Sequence, residues 1–308
     1  MTSKSAAGAS GTISNWTLTN KRREALAGYL FLAPYLFFFL VFLAGPVISA
    51  FVTAFVEWEL LRGTYRFIGL ENFQLMMEDD LFRIALGNSL YFAIMTTIGN
   101  VIVALCAALA LKSIRLGHTI FRVVMYAPVV LSISVIGIIF KRLLAPFGLL
   151  NGIFELFGHS GFDYLADPNL VLPSLALTTI WWGFGFPMLI FLAALYAVPE
   201  VLYEAARIDG AGRRQILWRV TLPLIRPALL FIIVTQFIGH IQVFGQAYIM
   251  TNGGGPGYSS YTIVLHIYRN AFTYYHMGYA GAMALTLGVV MFIFALVQFR
   301  LLGRYTEY

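Results

Sequence analysis

Charged residues and cysteine are both scarce in this sequence, and each scarcity excludes a class of protein. Asp, Glu, Lys and Arg make up only 11% of the 308 residues, whereas soluble domains carry about 25%. The composition therefore excludes an ordinary soluble domain and indicates a membrane protein. Cys106 is the only cysteine and lies in an apolar run, which excludes a disulfide framework and a thiolate metal site.

The sequence also lacks the common motifs of nucleotide-binding and metal-dependent enzymes. It has no G-x-x-x-x-G-K-[ST] phosphate loop, because the glycine run from Gly253 to Gly255 is followed by Pro256 and Gly257 without a lysine. It has no H-E-x-x-H pattern and no Cys/His cluster. We therefore expect no catalytic, cofactor-binding or metal site on this chain.

Long apolar runs without charge are the main feature that the sequence does have. A helix needs about 20 apolar residues to cross the roughly 30 Å hydrocarbon core of a bilayer, and six segments meet or approach this length. We predict an all-α integral membrane protein with a flexible tail at 1–24 and a membrane domain at 25–308. The expected spans are approximately 28–55, 84–111, 120–140, 172–197, 228–250 and 279–301.

The distribution of Lys and Arg predicts the orientation of these spans. Six spans place both termini on one side, and fourteen of the 20 basic residues fall in the termini and loops of that side. The positive-inside rule assigns this side, with the loop 198–227, to the cytoplasm. The same asymmetry explains the net charge of +6 without a nucleic-acid partner.

The loop 198–227 contains an amphipathic helical pattern between two apolar spans. Pro199 suits the first turn of a helix, and Gly210 suits the residue just beyond its end. A second short helix is expected from Arg213 to Val220, ended by Pro223. The first helix suits either the lipid surface or a groove on a soluble partner, and its small apolar face without Trp or Phe favours the groove. That face consists of Val201, Leu202, Ala205 and Ile208.

The residues from Glu204 to Pro223 resemble the EAA loop of bacterial ABC importer permeases. That loop reads Glu-Ala-Ala, three residues, Gly, nine residues, Ile, one residue and Leu-Pro, and here only the isoleucine is changed, to Val220. The segments IGLENFQLMMEDDLFRIALGNSLYF and TNGGGPGYSSYTIVLHIYRNAF look like the carbohydrate-uptake branch, the maltose and glycerol-3-phosphate kind.

The resemblance implies the type I ABC importer permease fold and a set of partners. In this family two homologous permease subunits pair in the bacterial plasma (inner) membrane. Two copies of a separate ATPase subunit bind ATP and magnesium, and an extracytoplasmic substrate-binding protein delivers the sugar. The first loop helix would then be the coupling helix that docks into the ATPase. Its expected docking residues are Glu204, Ala205, Ala206, Asp209 and Gly210.

The resemblance also carries a substrate-binding role to spans four and five. Amides and aromatic rings suit the hydroxyl groups and apolar faces of a sugar, although ordinary helix packing uses Gly and Gln as well. The residues concerned are Thr179, Trp182, Gly183, Phe186, Gly239, Gln242, Val243 and Gln246.

The outer segment TNGGGPGYSS requires positive φ values or tight turns. It is either a plain turn or, in addition, an outer gate and a surface for the binding protein. The residues expected there are Gly253, Gly254, Gly255 and Pro256.

Two alternatives stay open from the sequence. An ion- or proton-coupled secondary transporter usually has ionisable residues inside its spans, and the charge-free cores of these spans contain only histidine. Glycerol phosphate would call for a cationic cavity, but no Arg or Lys lies at mid-span, although a sister subunit could supply the charge. We interpret His240 as a packing or hydrogen-bonded residue rather than a proton relay, because it has no acidic partner nearby.

Overall fold

The computed structural model describes residues 10–59, 61–114 and 116–302. The chain forms two compact units, Met1–Thr53 and Ala54–Tyr308. Helices dominate both units, as the apolar runs predict, because a helix satisfies its own backbone hydrogen bonds inside a membrane.

The first unit is a continuous helical segment. Helix α1 (Ser10–Phe39) passes through a π-helical turn (Leu40–Ala44) into α2 (Gly45–Thr53). The wide turn lies directly before Pro46, which has no N–H to donate and so interrupts the regular bonding.

The first unit differs from the expected tail and span. Of the flexible tail expected at 1–24, residues 1–9 lie outside the described residues and 10–24 belong to α1. No proline precedes Pro34, so nothing in the sequence stops a helix from starting early. The part from Arg22 to Thr53 is long and apolar enough to cross a membrane.

The second unit combines a small β-hairpin with helices. The described elements are, in chain order, β1 (Val56–Glu59), β2 (Thr64–Phe67), α3 (Glu71–Glu78), α4 (Asp80–Ser113), α5 (His118–Val130), α6 (Ile133–Leu143), α7 (Leu149–Leu156), α8 (Val171–Gly183), α9 (Gly185–Ala197), α10 (Glu200–Ile208), α11 (Arg213–Ile216), α12 (Leu222–Leu224), α13 (Arg226–Ile241), α14 (Gly245–Met250), α15 (Ile263–Phe272) and α16 (Met277–Leu302). A π-helical turn (Leu217–Thr221) joins α11 to α12.

The hairpin was not expected from the sequence. Strands β1 and β2 pair antiparallel, with Val56 opposite Phe67, and Gly63 takes a φ of +63° just before β2. An ion pair of 3.1 Å joins Glu57 to Arg66 across the strands. Strands of four residues are too short to give a clear alternating pattern.

Six spans are present only if bent helix pairs are counted as single spans. Within the described residues, three helices are long and apolar enough alone: the segment Arg22–Thr53, α4 and α16. Three pairs pass the same test together, namely α5 with α6, α8 with α9, and the α11–α12 segment with α13. Their bends are 95°, 50° and 72° respectively.

Proline and serine account for these bends. Pro187 lies four residues after Gly183, and Pro227 four residues after Pro223. Each proline lacks the N–H that would bond to the carbonyl one turn earlier, so the helix bends there. At the bend between α5 and α6, the Ser132 side chain caps the first turn of α6, and a new helix starts there.

Three expected spans are therefore interrupted. The span expected at 120–140 is the α5–α6 pair, and the span expected at 172–197 is the α8–α9 pair. The span expected at 228–250 stops at Ile241 and resumes as α14. At the break between α13 and α14, the Gln242 side chain donates to the carbonyl of Ile238 at 2.9 Å. The backbone also approaches α6 closely there, since a Cβ on Gly245 would lie 3.1 Å from Ile133.

Helix α4 is the centre of the second unit. It packs against α8, α9, α13 and α15, and small buried side chains such as Ala93, Ala104 and Ala108 allow these helices to approach. At its first turns Ser89 accepts a hydrogen bond from the backbone N–H of Ile263 at 2.8 Å. Near its other end, Lys112 contacts Tyr203 in the loop 198–227.

Candidate functional site

Helix α10 carries its apolar residues on its outer side. Val201 and Ile208 are 70% and 85% exposed, and Leu202 and Ala205 are exposed as well. The only buried residue of the helix is Tyr203, which belongs to a cluster with the ends of α4 and α9. One aromatic anchor on the inner face and a free apolar outer face are suited to docking into a partner.

Gly210 ends α10 in a Schellman arrangement. Its N–H bonds to the carbonyl of Arg207 at 3.0 Å, and the N–H of Ala211 bonds to the carbonyl of Ala206 at 2.9 Å. The prediction that Gly210 lies just beyond the helix end is confirmed. Glycine is favoured here by its φ of +76° and not by lack of space, since an added Cβ would meet nothing within 4 Å.

The five expected docking residues lie on α10 and its C-terminal turn. Four of them are exposed, namely Glu204, Ala205, Asp209 and Gly210, and the fifth, Ala206, is half-buried. Glu200, on the same helix, pairs with Arg207 at 3.3 Å. In the described part of the chain no ion pair engages the carboxylate of Glu204 or Asp209, so both are open to a partner.

Lys112, near the C-terminal end of α4, joins three helices. Its Nζ donates to the carbonyl of Leu195 in α9 at 2.9 Å and lies 4.4 Å from the centre of the Tyr203 ring in α10. A cation over an aromatic face stabilises by about 0.5–2 kcal/mol. Sequence reasoning assigned no role to Tyr203, because only the fold brings it to Lys112.

Replacing Tyr203 by leucine is expected to lower the melting temperature of the purified protein by about 2–4 °C. The leucine keeps an apolar side chain but removes the cation–π contact with Lys112, worth about 1 kcal/mol. Thermal unfolding in detergent measures the effect. Tyr203→Phe retains the ring and is the matched control; an equal loss in that variant would assign the effect to the hydroxyl group.

The second half of the loop differs from the expected helix. The prediction that Pro223 ends a helix at Val220 is wrong, because α11 continues through the π-helical turn into α12. Pro223 falls in the first turn of α12, where its missing N–H costs little. Thr221 Oγ1 donates to the carbonyl of Ile216 at 3.3 Å within the wide turn. The chain then turns by 72° into α13.

Four of the eight residues expected at the substrate are engaged inside the subunit. Thr179, Val243 and Gln246 are buried, and Gln246 Nε2 donates to Thr179 Oγ1 at 3.2 Å. The half-buried Trp182 donates through Nε1 to the carbonyl of Leu131 at 3.0 Å. These side chains tie spans three, four and five to one another.

The other four residues are more open. Phe186, Gly239 and Gln242 are exposed, and Gly183 is half-buried beside Asn100. The bend before Phe186 and the break after Gln242 separate residues that a straight helix would place on one face. The eight residues expected at the substrate are therefore divided in the structure into a packed group and an open group.

A buried polar cluster links α4 to α13. Thr97 Oγ1 lies 3.1 Å from His240 Nδ1, and Asn100 Nδ2 lies 3.3 Å from Gln236 Oε1 and 3.4 Å from His240 Nε2. The structure thus shows His240 as a hydrogen-bonded residue. Within the described residues, Thr96 Oγ1 and Asn100 Oδ1 are buried without a partner. The polar residues recur at steps of three and four, which was the signal available in the sequence.

The outer glycine segment is folded back on its own chain. Positive φ values occur at Gly253, Gly254 and Gly255, so the predicted need for such conformations is confirmed. Arg269 Nη2 donates to the carbonyl of Gly253 at 2.7 Å, and Pro256 starts a 3₁₀ turn. A Cβ on Gly254 would lie 2.8 Å from the Tyr261 ring, so this loop tolerates only glycine there.

Asp79 connects the start of span two with the elements around span six. Its Oδ2 accepts from Tyr279 at 2.7 Å and from His266 Nε2 at 2.9 Å, and its Oδ1 accepts from the N–H of Leu81. The Tyr261 hydroxyl lies 3.1 Å from His266 Nδ1. Burial raises the pKa of Asp79, but the hydrogen bonds from Tyr279 and His266 outweigh it and hold the pKa below its usual value of 3.8.

Replacing Asp79 by asparagine is expected to lower the melting temperature at pH 7 and to weaken its acid dependence. The folded-state pKa is depressed, so the carboxylate stabilises the fold above its ordinary pKa and loses this effect as pH falls through the folded value. The loss is about 1–3 kcal/mol, that of a hydrogen bond to a charged group. Melting curves from pH 7 to 3 measure it. Asp80→Asn, at a neighbouring exposed carboxylate, is the control; equal acid dependence in all three proteins would contradict the prediction.

Comparison with known proteins places these features in a family. The model of the family described as binding-protein-dependent transport system inner membrane component matches residues 100–306. The chain is 32% identical over 277 residues to the probable ABC transporter permease protein YurN of Bacillus subtilis, covering 88% of this chain and 94% of that protein. It is 32% identical over 282 residues to the arabinooligosaccharides transport system permease protein AraP of the same organism, covering 91% and 89%.

The fold is similar to that of a solved transporter chain. In the crystal structure of a bacterial ABC transporter involved in the import of the acidic polysaccharide alginate, one chain superposes with a TM-score of 0.80, at 24% identity over 94% of this chain and 100% of that one. The family match includes the loop 198–227 with its free apolar helix, the interrupted fifth span and the outer glycine segment. The chain therefore belongs to the binding-protein-dependent transport system inner membrane components, the permease subunits of ABC importers.

Proposed function

We propose that this chain forms half of the pathway of an ATP-driven sugar importer in the bacterial plasma membrane. Both termini and the loop 198–227 face the cytoplasm, in agreement with the excess of Lys and Arg on that side. A neutral sugar is favoured because no Arg or Lys lies at mid-span, and the relative AraP is named for arabinooligosaccharides.

The observation that carries this proposal is the free apolar face of α10. This helix of nine residues buries Tyr203 but exposes Val201, Leu202 and Ile208. Exposure of this apolar surface to water is unfavourable, so the face is suited to a partner. Docked in a cleft of an ATPase subunit, the same face is covered, and Glu204 reaches the rim. That separate subunit binds ATP with magnesium and hydrolyses the ATP, and this chain contributes no catalytic group.

The assembly contains two permease subunits, two ATPase subunits and an extracytoplasmic substrate-binding protein. Closure of the ATPase pair around ATP brings the two coupling helices together. Lys112 and Tyr203 link α10 to the ends of spans two and four, so movement of α10 is passed to these spans. The cavity between the permease subunits then switches from inward- to outward-facing as packed elements move rigidly.

The open residues Phe186, Gly239 and Gln242 line this chain's side of the pathway. The exposed aromatic ring offers a stacking surface and the side-chain oxygen of Gln242 offers a hydrogen-bond acceptor to a sugar, since Nε2 of Gln242 already donates to Ile238. The glycine leaves space for the sugar. Thr179 and Gln246 support this surface from behind. The outer glycine segment meets the binding protein near the entrance.

Reconstitution tests the proposal. The chain, a homologous permease subunit and the ATPase are purified together and placed in vesicles, and sugar-loaded binding protein is added outside. We expect ATP hydrolysis to rise with loaded binding protein and labelled sugar to accumulate only when ATP is present. Uptake that persists without the ATPase and follows an ion gradient would instead establish a secondary transporter.

A further inference from the structure

A cavity of about 620 Å³ lies behind α10, on the side opposite its free apolar face. It is an open cavity bounded by the inner face of α10, the ends of α4 and α9, and the first turns after Gly212. Its lining combines basic and apolar side chains: Leu109, Lys112, Ser113, Leu195, Glu200, Tyr203, Arg207, Arg213, Ile216, Leu217 and Thr221.

The charge in this cavity is positive. Arg207 is paired with Glu200 at 3.3 Å, so these two lining charges offset each other. Among the described residues, the Lys112 ammonium contacts a neutral carbonyl and an aromatic ring and has no ion-pair partner. The exposed side chain of Arg213 likewise has no hydrogen-bond or ion-pair partner in the described part of the chain. The lining therefore holds two cations in addition to the Glu200–Arg207 pair.

Much of the remaining lining of the cavity is apolar, and it lies beside the cations on the same helices. Leu109 and Leu195 belong to the ends of spans two and four, and Ile216 and Leu217 continue this surface into the loop. A free inorganic anion would match the two cations but would leave the leucines facing water. An amphiphile with a phosphate and a hydrocarbon part matches both the basic and the apolar lining.

We propose that this cavity binds the headgroup of an anionic phospholipid of the surrounding leaflet. Arg213 and Lys112 donate to the phosphate as charge-assisted hydrogen bonds, and the glycerol and first acyl carbons contact Leu109, Leu195 and Ile216. Basic pockets beside span ends are suited to such headgroups. Because the free face of α10 points the other way, lipid and ATPase can occupy the two sides together.

Lipid titration of the assembled complex tests the site. The complex, in nanodiscs of phosphatidylcholine with increasing phosphatidylglycerol, is released into a mass spectrometer, and bound phosphatidylglycerol is counted. We expect Arg213→Gln to weaken binding about fivefold, the effect of one cation near an anionic lipid. Arg214→Gln is the matched control, because Arg214 is the next residue of the same helix, equally exposed and outside the cavity lining.

The outcomes separate a built site from general attraction and from a free anion. Selective loss in Arg213→Gln supports the proposal. Equal loss in both variants means diffuse attraction to the membrane surface, and no loss in either means that the cavity does not hold the lipid; both results overturn it. Full competition by millimolar inorganic phosphate would also overturn it, because the apolar lining would then contribute nothing. Binding is read without any transport assay, so failure here leaves the proposed import function untouched.

Discussion

Replacing Gly210 by aspartate is expected to abolish coupled uptake while the protein stays folded in the membrane. Aspartate tolerates the left-handed conformation better than most residues, and an added Cβ meets nothing within the chain, so the fold is little affected. In the proposed docked state the new carboxylate would be buried beside Asp209 against the ATPase without a partner, which costs several kcal/mol. We expect sugar uptake by reconstituted vesicles to fall more than about tenfold, since 1.4 kcal/mol already corresponds to tenfold.

Gly158 offers a closely matched control for this experiment. It has a φ of +77° and an equally open Cβ position, but it lies between α7 and α8, far along the chain from α10. Gly158→Asp should transport normally. Glu204→Lys, which reverses a charge on α10 itself, should act like Gly210→Asp. Normal uptake in both α10 variants would remove the coupling role of this helix.

Replacing Gly239 by tryptophan is expected to block uptake with a stable protein. Gly239 is exposed on α13 and no atom lies within 4 Å of an added Cβ, so the subunit can hold the large side chain. On the proposed pathway the indole fills the space that the sugar needs, and uptake should fall to background. Labelled-sugar accumulation measures this, and a melting curve confirms that the subunit is intact.

Two further variants show whether size at this place is responsible. Gly239→Ala adds one methyl group and should retain most of the uptake. Gly288→Trp places the same indole in α16, at a glycine whose Cβ would also meet nothing. If Gly239→Trp transports as well as the unchanged protein, Gly239 is not on the pathway. If Gly288→Trp blocks equally, bulk anywhere in the spans is sufficient.

Local patterns predicted the membrane character, the amphipathic helix in the loop 198–227 and its glycine terminus. Apolar runs, Pro199 before a helix and Gly210 after it act over a few neighbouring residues, so their meaning hardly depends on the rest of the fold. The positive φ values of the outer glycine segment were predictable for the same reason. The prediction failed at Pro223, because a proline can start a helical turn as well as end one, and only the neighbouring backbone decides which.

The sites that depend on two distant parts of the chain could not be predicted in the same way. Helical spacing placed Gln242 and Gln246 on one face, yet the break between α13 and α14 leaves Gln242 exposed and turns Gln246 inward to Thr179. Asp79 meets His266 across 187 residues. Neither the position of a helix break nor a partner so far along the chain follows from local periodicity.

The sequence alone therefore determined that this chain lies in a membrane, that α10 is amphipathic, and that a glycine follows its end. Only the tertiary structure decided which side of α10 is free, because that depends on Tyr203 meeting Lys112 and the end of span four. It likewise decided which polar residues of spans four and five are open. The pattern of apolar and polar residues is a property of a single helix and can be read from its sequence. Contacts and cavities arise from the packing of several helices, so the sequence of any one helix does not predict them.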